Sequence, residues 1–214
     1  PKEDYLNLVG DGLFRIVLGM VYKFVLAAAF YQGMTYLGNP ITGTDWTGST
    51  LAYMYCYGFY LFFDFAGYSL MAIGMGYIFG IVTPDNFKKP FISVDIKDFW
   101  DRWHITLSHW FRDFVFSRFM MASIRGKWFK NKLTGASIGF MINMTLMGVW
   151  HGLSWCYILY GVYHGILLAV TEVYQKKSKF YKKNKKKKWY KIVSGVITFN
   201  LVMFGFLIFS GRLI

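Results

Sequence analysis

The chain has 214 residues, 55% of them hydrophobic and 21% aromatic but only 16% charged, and its formal charge is +13. An average soluble domain is about 25% charged, and one water-soluble core would need almost every helix apolar on all sides. Composition therefore excludes an ordinary soluble domain. It points to an all-α, polytopic membrane protein, because several apolar stretches reach the roughly 20 residues that a bilayer core requires.

The first residues, PKEDYLNL, lack a basic n-region and a cleavage signal, so they do not read as a signal peptide. They are expected to lie partway along a longer protein, with residues 1–214 forming a single membrane domain. Residues 12–34 read as one spanning helix, although Arg15 and Lys23 lie within it. Such cations either snorkel or face protein. Residues 38–50, GNPITGTDWTGST, read as a loop.

Residues 50–82 are longer than one perpendicular span needs, and Asp64 and five glycines punctuate them. The pattern predicts either a tilted, bent helix or two shorter helices broken near DFAGYS. Asp64 is expected to be a helix-breaking group satisfied by backbone donors. Residues 83–99 are polar, carry two prolines and leave the membrane.

Residues 98–116 then read as one amphipathic helix lying in or re-entering the interface. Phe99, Trp103, Leu107, Trp110 and Phe114 recur at helical spacing, while Asp101, Arg102, Ser108, Arg112 and Asp113 lie off that stripe. Residues 117–132 mix Arg118, Arg125 and Lys127 with the apolar Phe119, Met120, Met121 and Ile124. Residues 134–149 and 154–174 read as a membrane hairpin and residues 192–214 as a last span.

Between them, residues 176–191 hold ten lysines and no acid. Without those lysines, 14 basic residues face 11 acidic ones, so the excess charge is one feature. Beside membrane spans it reads as a cytoplasmic loop touching anionic lipid rather than as a nucleic-acid site.

Between Lys132 and Glu172 the only ionisable side chains other than tyrosine and cysteine are His151 and His164. A deep histidine is costly and is a functional hypothesis by default. A start at residue 134 puts Val149 about 24 Å along the helix and His151 just beyond it, past the bilayer midplane. Gly152 beside it leaves room for close approach, and Trp150 can wall a pocket. Its ordinary pKa suits proton transfer near neutrality. His104 has Asp101 three residues before it and Ser108 four after, so either could orient it as a base or relay. His109, with Asp113 at i+4, and His164, before Gly165, read as structural.

The spacing makes no metal set. Cys56 and Cys156 read as buried free thiols. No Gly-x-Ser-x-Gly elbow or phosphate loop is present. What remains is proton transfer to a histidine, with a substrate hydroxyl as nucleophile. A proton-coupled transporter using Lys23, Asp64 and His151 as a relay is the competing reading.

Four blocks resemble the membrane-bound O-acyltransferase family, in its order and at its kind of spacing: FDFAGYSLMAIGMGYIFGI, NFKKPF, DFWDRWHITLSHWFRDFVF and GVWHGLSWCYILYGVYHG. The resemblance covers residues 12–173 and implies the C-terminal half of a family member. It implies His151 as the catalytic histidine and His104 as the second signature histidine. Trp150, Gly152, Asn143, Asp101 and Ser108 then become tunnel- or substrate-lining candidates.

Within the family the chain is most similar to the branch that D-alanylates teichoic acid, on KPFISVDIKDFWDRWHITLS and NMTLMGVWHGLSW. Polysaccharide O-acetyltransferases of the alginate type share the plan. The resemblance implies no bound cofactor and a Gram-positive cell membrane. The donor would be D-alanine as a thioester on the phosphopantetheine of a small acidic carrier protein. The acceptor would be an extracytoplasmic hydroxyl on lipoteichoic acid or on an intermediary acceptor protein. On this reading residues 83–132 hold the second signature histidine and the carrier-docking surface (Arg118, Phe119, Met120, Met121, Ile124 and Arg125), and residues 133–175 form the catalytic-histidine hairpin.

Overall fold

A computed structural model describes residues 2–38 and 46–213. The expected loop at residues 38–50 lies largely outside the described residues. Among these residues the chain is helical with no strand, and five segments are long and apolar enough to cross a membrane. The fold has two compact units, residues 1–87 and 88–214.

In the first unit, α1 (Lys2–Met20) passes through a π-helical stretch, Val21–Ala27, into α2 (Ala28–Gly38) without a break. It packs on α3 (Trp46–Ile78), which runs antiparallel. Small residues set the approach. A Cβ on Gly12 would lie 2.7 Å from the Gly74 carbonyl oxygen, and one on Gly19 would lie 2.6 Å from that of Gly67.

α3 is one unbroken 33-residue helix, so the two-helix alternative does not hold. Nor is Asp64 capped by backbone donors as expected, because its carboxylate pairs with the Lys23 ammonium. The partner is another helix, which sequence periodicity cannot reveal. Lys23 sits within the π-helical stretch, where the extra residue per turn re-aims side chains.

The second unit is built on a hairpin of α7 (Lys132–His151) and α8 (Trp155–Lys177). Asn131 starts α7 by accepting a 2.9 Å bond from the Leu133 N–H. Gly148 and Gly161 let the two backbones meet, since a Cβ on either would collide with a carbonyl oxygen of the facing helix. α10 (Lys188–Phe209) crosses α8, with Gly205 against the His164 ring.

The expected single helix at residues 98–116 is not formed. α4 (Ile96–Trp100) and α5 (Ile105–Phe111) are separated by a bend in which His104 adopts φ 46, ψ 52. A π-helical turn, Arg112–Phe116, leads into α6 (Ser117–Arg125). The bend breaks the apolar stripe: Phe99 and Trp103 are buried, whereas Trp110 and Phe114 are exposed.

The lysine run is not a loop throughout. It contains a short helix, α9 (Lys179–Asn184), with Ser178 accepting from the Tyr181 N–H, and its ends belong to α8 and α10.

Candidate functional site

α7 extends two residues beyond each end of the segment read from sequence. His151 is its last residue, about 28 Å of helical rise from Lys132. Gly152 ends the helix at φ 150, ψ 164, a conformation that glycine alone adopts readily. A Cβ there would also sit 3.1 Å from the Tyr157 ring. Gly152 therefore turns the chain. The room beside His151 is occupied by Tyr157 rather than left open.

The bend at His104 brings the second histidine to the same place. Trp150 lies between the two, its ring centroid 4.9 Å from that of His151 and 6.5 Å from that of His104. Phe209 of α10, at 5.1 Å, and Tyr157, at 6.1 Å, close the far side of His151. Burial, with His151 nearby as a second cause, pushes the His104 pKa down to about 4. His104 is therefore neutral at physiological pH, able to donate from one ring nitrogen and accept at the other.

The other residues singled out in the sequence take separate places. Ser108 is buried, and its hydroxyl donates to the Trp103 carbonyl at 3.0 Å. The Asp101 carboxylate stands 3.9 Å from Arg112. Both line a cleft of about 320 Å³ with Lys97, Trp100, His109, Arg112 and Asn143. Asn143 and Met147 line the cleft, and His151 lies one turn further along the same face of α7.

Asn143 is buried. Its amide nitrogen has only a 3.8 Å contact with Met144 Sδ, and its carbonyl oxygen has no partner among the described residues. A buried, unsatisfied acceptor is costly, and a ligand N–H relieves that cost.

Lys97, Trp100, His109 and Arg112 are among the cleft residues that the sequence reading did not single out. Lys97 was unmarked; it pairs with Glu172 and accompanies the Gln175–Asp95 bond that ties α4 to α8. Trp100 lay outside the periodic stripe. Arg112 was placed only off the apolar stripe, and His109 was read as the partner of Asp113, which instead bonds Arg112 at 3.1 Å. Lys97 and Trp100 precede the bend and His109 and Arg112 follow it, so no single helical period brings the four together.

His164 is fully buried in a ring of aromatic side chains, as a structural reading requires. Its Nδ1 accepts from Trp100 Nε1 at 3.3 Å, so the Nε2 atom carries the proton, and Nε2 faces Gly205 without a hydrogen-bond partner.

On α6, Arg118, Met121, Ile124 and Arg125 are exposed and Met120 is half-buried. Phe119 is half-buried like Met120. It turns onto Trp128 and Phe129, while Trp128 itself is 57% exposed and extends the apolar patch.

Five helices long and apolar enough to cross a bilayer define a multi-pass membrane protein, with two histidines packed on one tryptophan at the end of a span. The sequence pattern of the membrane-bound O-acyltransferase family matches residues 12–212, and the chain belongs to that family.

It is 47% identical to the teichoic acid D-alanyltransferase of Bacillus subtilis (strain 168) over 99% of this chain and 53% of that protein. It is 45% identical to the enzyme of the same name from Streptococcus thermophilus, over 99% and 54%. Against the probable alginate O-acetylase of Pseudomonas aeruginosa the identity is 37%, over 99% and 38%. The chain spans about half the length of the teichoic acid D-alanyltransferases it matches.

Proposed function

We propose that this chain carries the histidine centre of a membrane-bound O-acyltransferase that D-alanylates teichoic acid in a bacterial cell membrane. The donor is D-alanine in thioester linkage to the phosphopantetheine of a small acidic carrier protein. The acceptor is a hydroxyl of lipoteichoic acid, or of an intermediary protein, on the extracytoplasmic side.

The observation that carries the proposal is that His151 and His104 both pack against Trp150, one helical turn beyond Met147 of the cleft. Higher identity to the D-alanyltransferases than to the alginate acetylase favours the alanyl over the acetyl reading.

In this mechanism His151 takes the proton of the acceptor hydroxyl as its oxygen attacks the thioester carbonyl. The C–O bond forms, the C–S bond breaks, and the departing thiolate receives the proton from the imidazolium. The neutral His104 donates to the carbonyl oxygen as negative charge builds on it.

The cleft suits a pantetheine arm. Trp100, Met144 and Met147 give it an apolar wall, Asn143 offers an amide to pair with amides, and Arg112 supplies a cation for the phosphate. The exposed face of α6, with Arg118 and Arg125 beside Met120, Met121 and Ile124, suits an acidic carrier by charge and apolar contact. Residues 117–132 lie on the cytoplasmic side on this reading, as does the lysine-rich segment, while the bend at His104 reaches the far end of α7.

The test replaces His151 with Ala in the full-length protein and measures D-alanine esters on the cell wall. Loss of esters with normal membrane levels of the protein is the expected result. Wild-type ester content would overturn the proposal.

A further inference from the structure

The second unit holds two adjoining cavities at its lysine-rich segment that acyl transfer does not use. The first, of about 160 Å³, is walled by α8, α9, α10 and residues 94–96. The second, of about 420 Å³, is an apolar groove between the turn at Pro90–Ile92 and one face of α10. Lys191 and Val94 line both, so the two meet.

The polar groups of the first cavity divide into committed and available ones. Asp95 Oδ1 accepts from the Lys97 and Asp98 N–H groups, and its Oδ2 accepts from Gln175 Nε2 at 2.9 Å. Gln175 Oε1 in turn accepts from Lys97 at 3.2 Å, and the Ser194 hydroxyl donates to the Val94 carbonyl. The carboxylate, the amide and the serine are therefore held within the fold. Lys185 and Lys191 enter no ion pair among the described residues. The Tyr174 hydroxyl accepts from Tyr190 at 3.4 Å and keeps its own proton to donate. What remains for a ligand is two ammonium groups and a phenol, all donors. They suit an anion with several acceptor oxygens.

The groove asks for the opposite chemistry. Ile192, Val196 and Phe199 line it along α10, with Phe91 and Ile92 opposite. Gly195 opens it, since a Cβ there would have only the Ser93 carbonyl oxygen within 4 Å, at 3.5 Å. From Lys191 to Phe199 the helix descends about 12 Å, most of one leaflet's hydrocarbon depth of about 15 Å. Lys188 stands at the mouth of the groove, as the first residue of the candidate span Lys188–Phe209. Trp189 beside it is 48% exposed and packs on Phe180 at 6.2 Å, which marks this level as the headgroup boundary. A soluble anion would fill only the first cavity. An apolar helix would fill only the groove and leave the ammonium groups without a counter-charge. One amphiphile fills both.

We infer that the two cavities form a single site for an anionic phospholipid of the leaflet at the Lys188 end of α10. Its phosphate lies between Lys185 and Lys191 with Tyr174 donating to it, and one acyl chain follows the groove past Gly195 toward Phe199. The bound lipid ties α9 to α8 and α10. The site belongs to the second unit alone and is independent of the acyl-transfer reading.

The test titrates the full-length protein, purified in an uncharged detergent, with phosphatidylglycerol and with phosphatidylcholine of the same acyl chains. Melting is followed by tryptophan fluorescence. Phosphatidylglycerol should raise the melting temperature and phosphatidylcholine should not. Lys185→Gln with Lys191→Gln should raise the phosphatidylglycerol concentration for half the shift about 25-fold, at about fivefold per lysine. Lys182→Gln with Lys183→Gln removes the same charge from side chains that line neither cavity. At about 0.15 M salt, exposed charges beyond about 8 Å are largely screened, so this pair should raise it less than about threefold.

Equal losses from the two pairs would overturn the inference in favour of diffuse attraction to the lysine run. So would an unchanged titration in the Lys185→Gln, Lys191→Gln protein, or equal stabilisation of the wild type by the two lipids. Glycerol 3-phosphate carries the head without the chains and should not stabilise. A shift from it as large as the lipid's would show that the groove takes no acyl chain and would overturn the single site.

Discussion

Gly152→Ala tests whether the end of α7 is held by backbone geometry. Glycine there adopts φ 150, ψ 164. An alanine must enter a region that costs on the order of 1–3 kcal/mol. Its Cβ would also stand 3.1 and 3.2 Å from two Tyr157 ring carbons, closer than ordinary contact. The Tyr157 ring cannot retreat freely, because it packs on Phe209 at 4.7 Å and beside His151 at 6.1 Å.

The strain is relieved either by unwinding the last turn of α7 or by moving the aromatic cluster, and both displace His151. The expected loss of stability is about 2 kcal/mol, roughly 30-fold in the folded population. A displacement of about 1 Å at the histidine lowers transfer by on the order of 10²-fold. The assay is thermal unfolding of the purified full-length protein by tryptophan fluorescence, with D-alanyl ester formation measured alongside. Gly10→Ala is the control: a Cβ there meets nothing within 4 Å, inside a helix that alanine favours. A Gly152→Ala protein with wild-type melting and wild-type transfer would refute the reasoning.

Four other outcomes follow from the geometry. The depressed His104 pKa means that, as pH falls from about 6.5 to about 4, the unfolded chain takes up a proton that the folded chain refuses. Stability should therefore fall across that window, and His104→Gln should flatten the slope of melting temperature against pH. Trp100→Phe removes the donor to His164 Nδ1 and should cost about 1–3 kcal/mol in thermal unfolding, as expected for a buried polar group left unpaired. Lys23→Ala should reduce stability more than the Lys23→Ala, Asp64→Ala double substitution does, because the single change strands a carboxylate at midplane depth; a double-mutant cycle on melting temperature reads the sign. Charge reversal at Arg118 and Arg125 together should weaken capture of the acidic carrier protein in a pull-down and leave melting unchanged, since both side chains are exposed.

The spans were legible in the sequence because a bilayer imposes length and apolarity on each segment independently. The α7–α8 hairpin and the last helix could be read that way, with ends displaced by a few residues. The bend at His104 was not legible. The stripe from Phe99 to Phe114 satisfies a helical period whether or not the helix continues, and a left-handed histidine carries no compositional mark. Asp64 failed for a related reason: its partner, Lys23, is 41 residues away on a π-helical stretch. His109 and Asp113 have helical spacing, yet Arg112 takes the carboxylate.

Composition and hydrophobic run length by themselves determined that this is a helical membrane protein, and the cost of burying an imidazole marked His151 as the candidate chemical centre. Tertiary structure alone decided which groups that histidine meets. Residues 104, 151 and 209 belong to a bend, a helix end and a third helix, and only packing set their rings around Trp150 and Tyr157. The physical reason is range. Solvation acts on each residue where it stands in the chain, whereas proximity between distant residues exists only once the helices have closed on one another through their glycines.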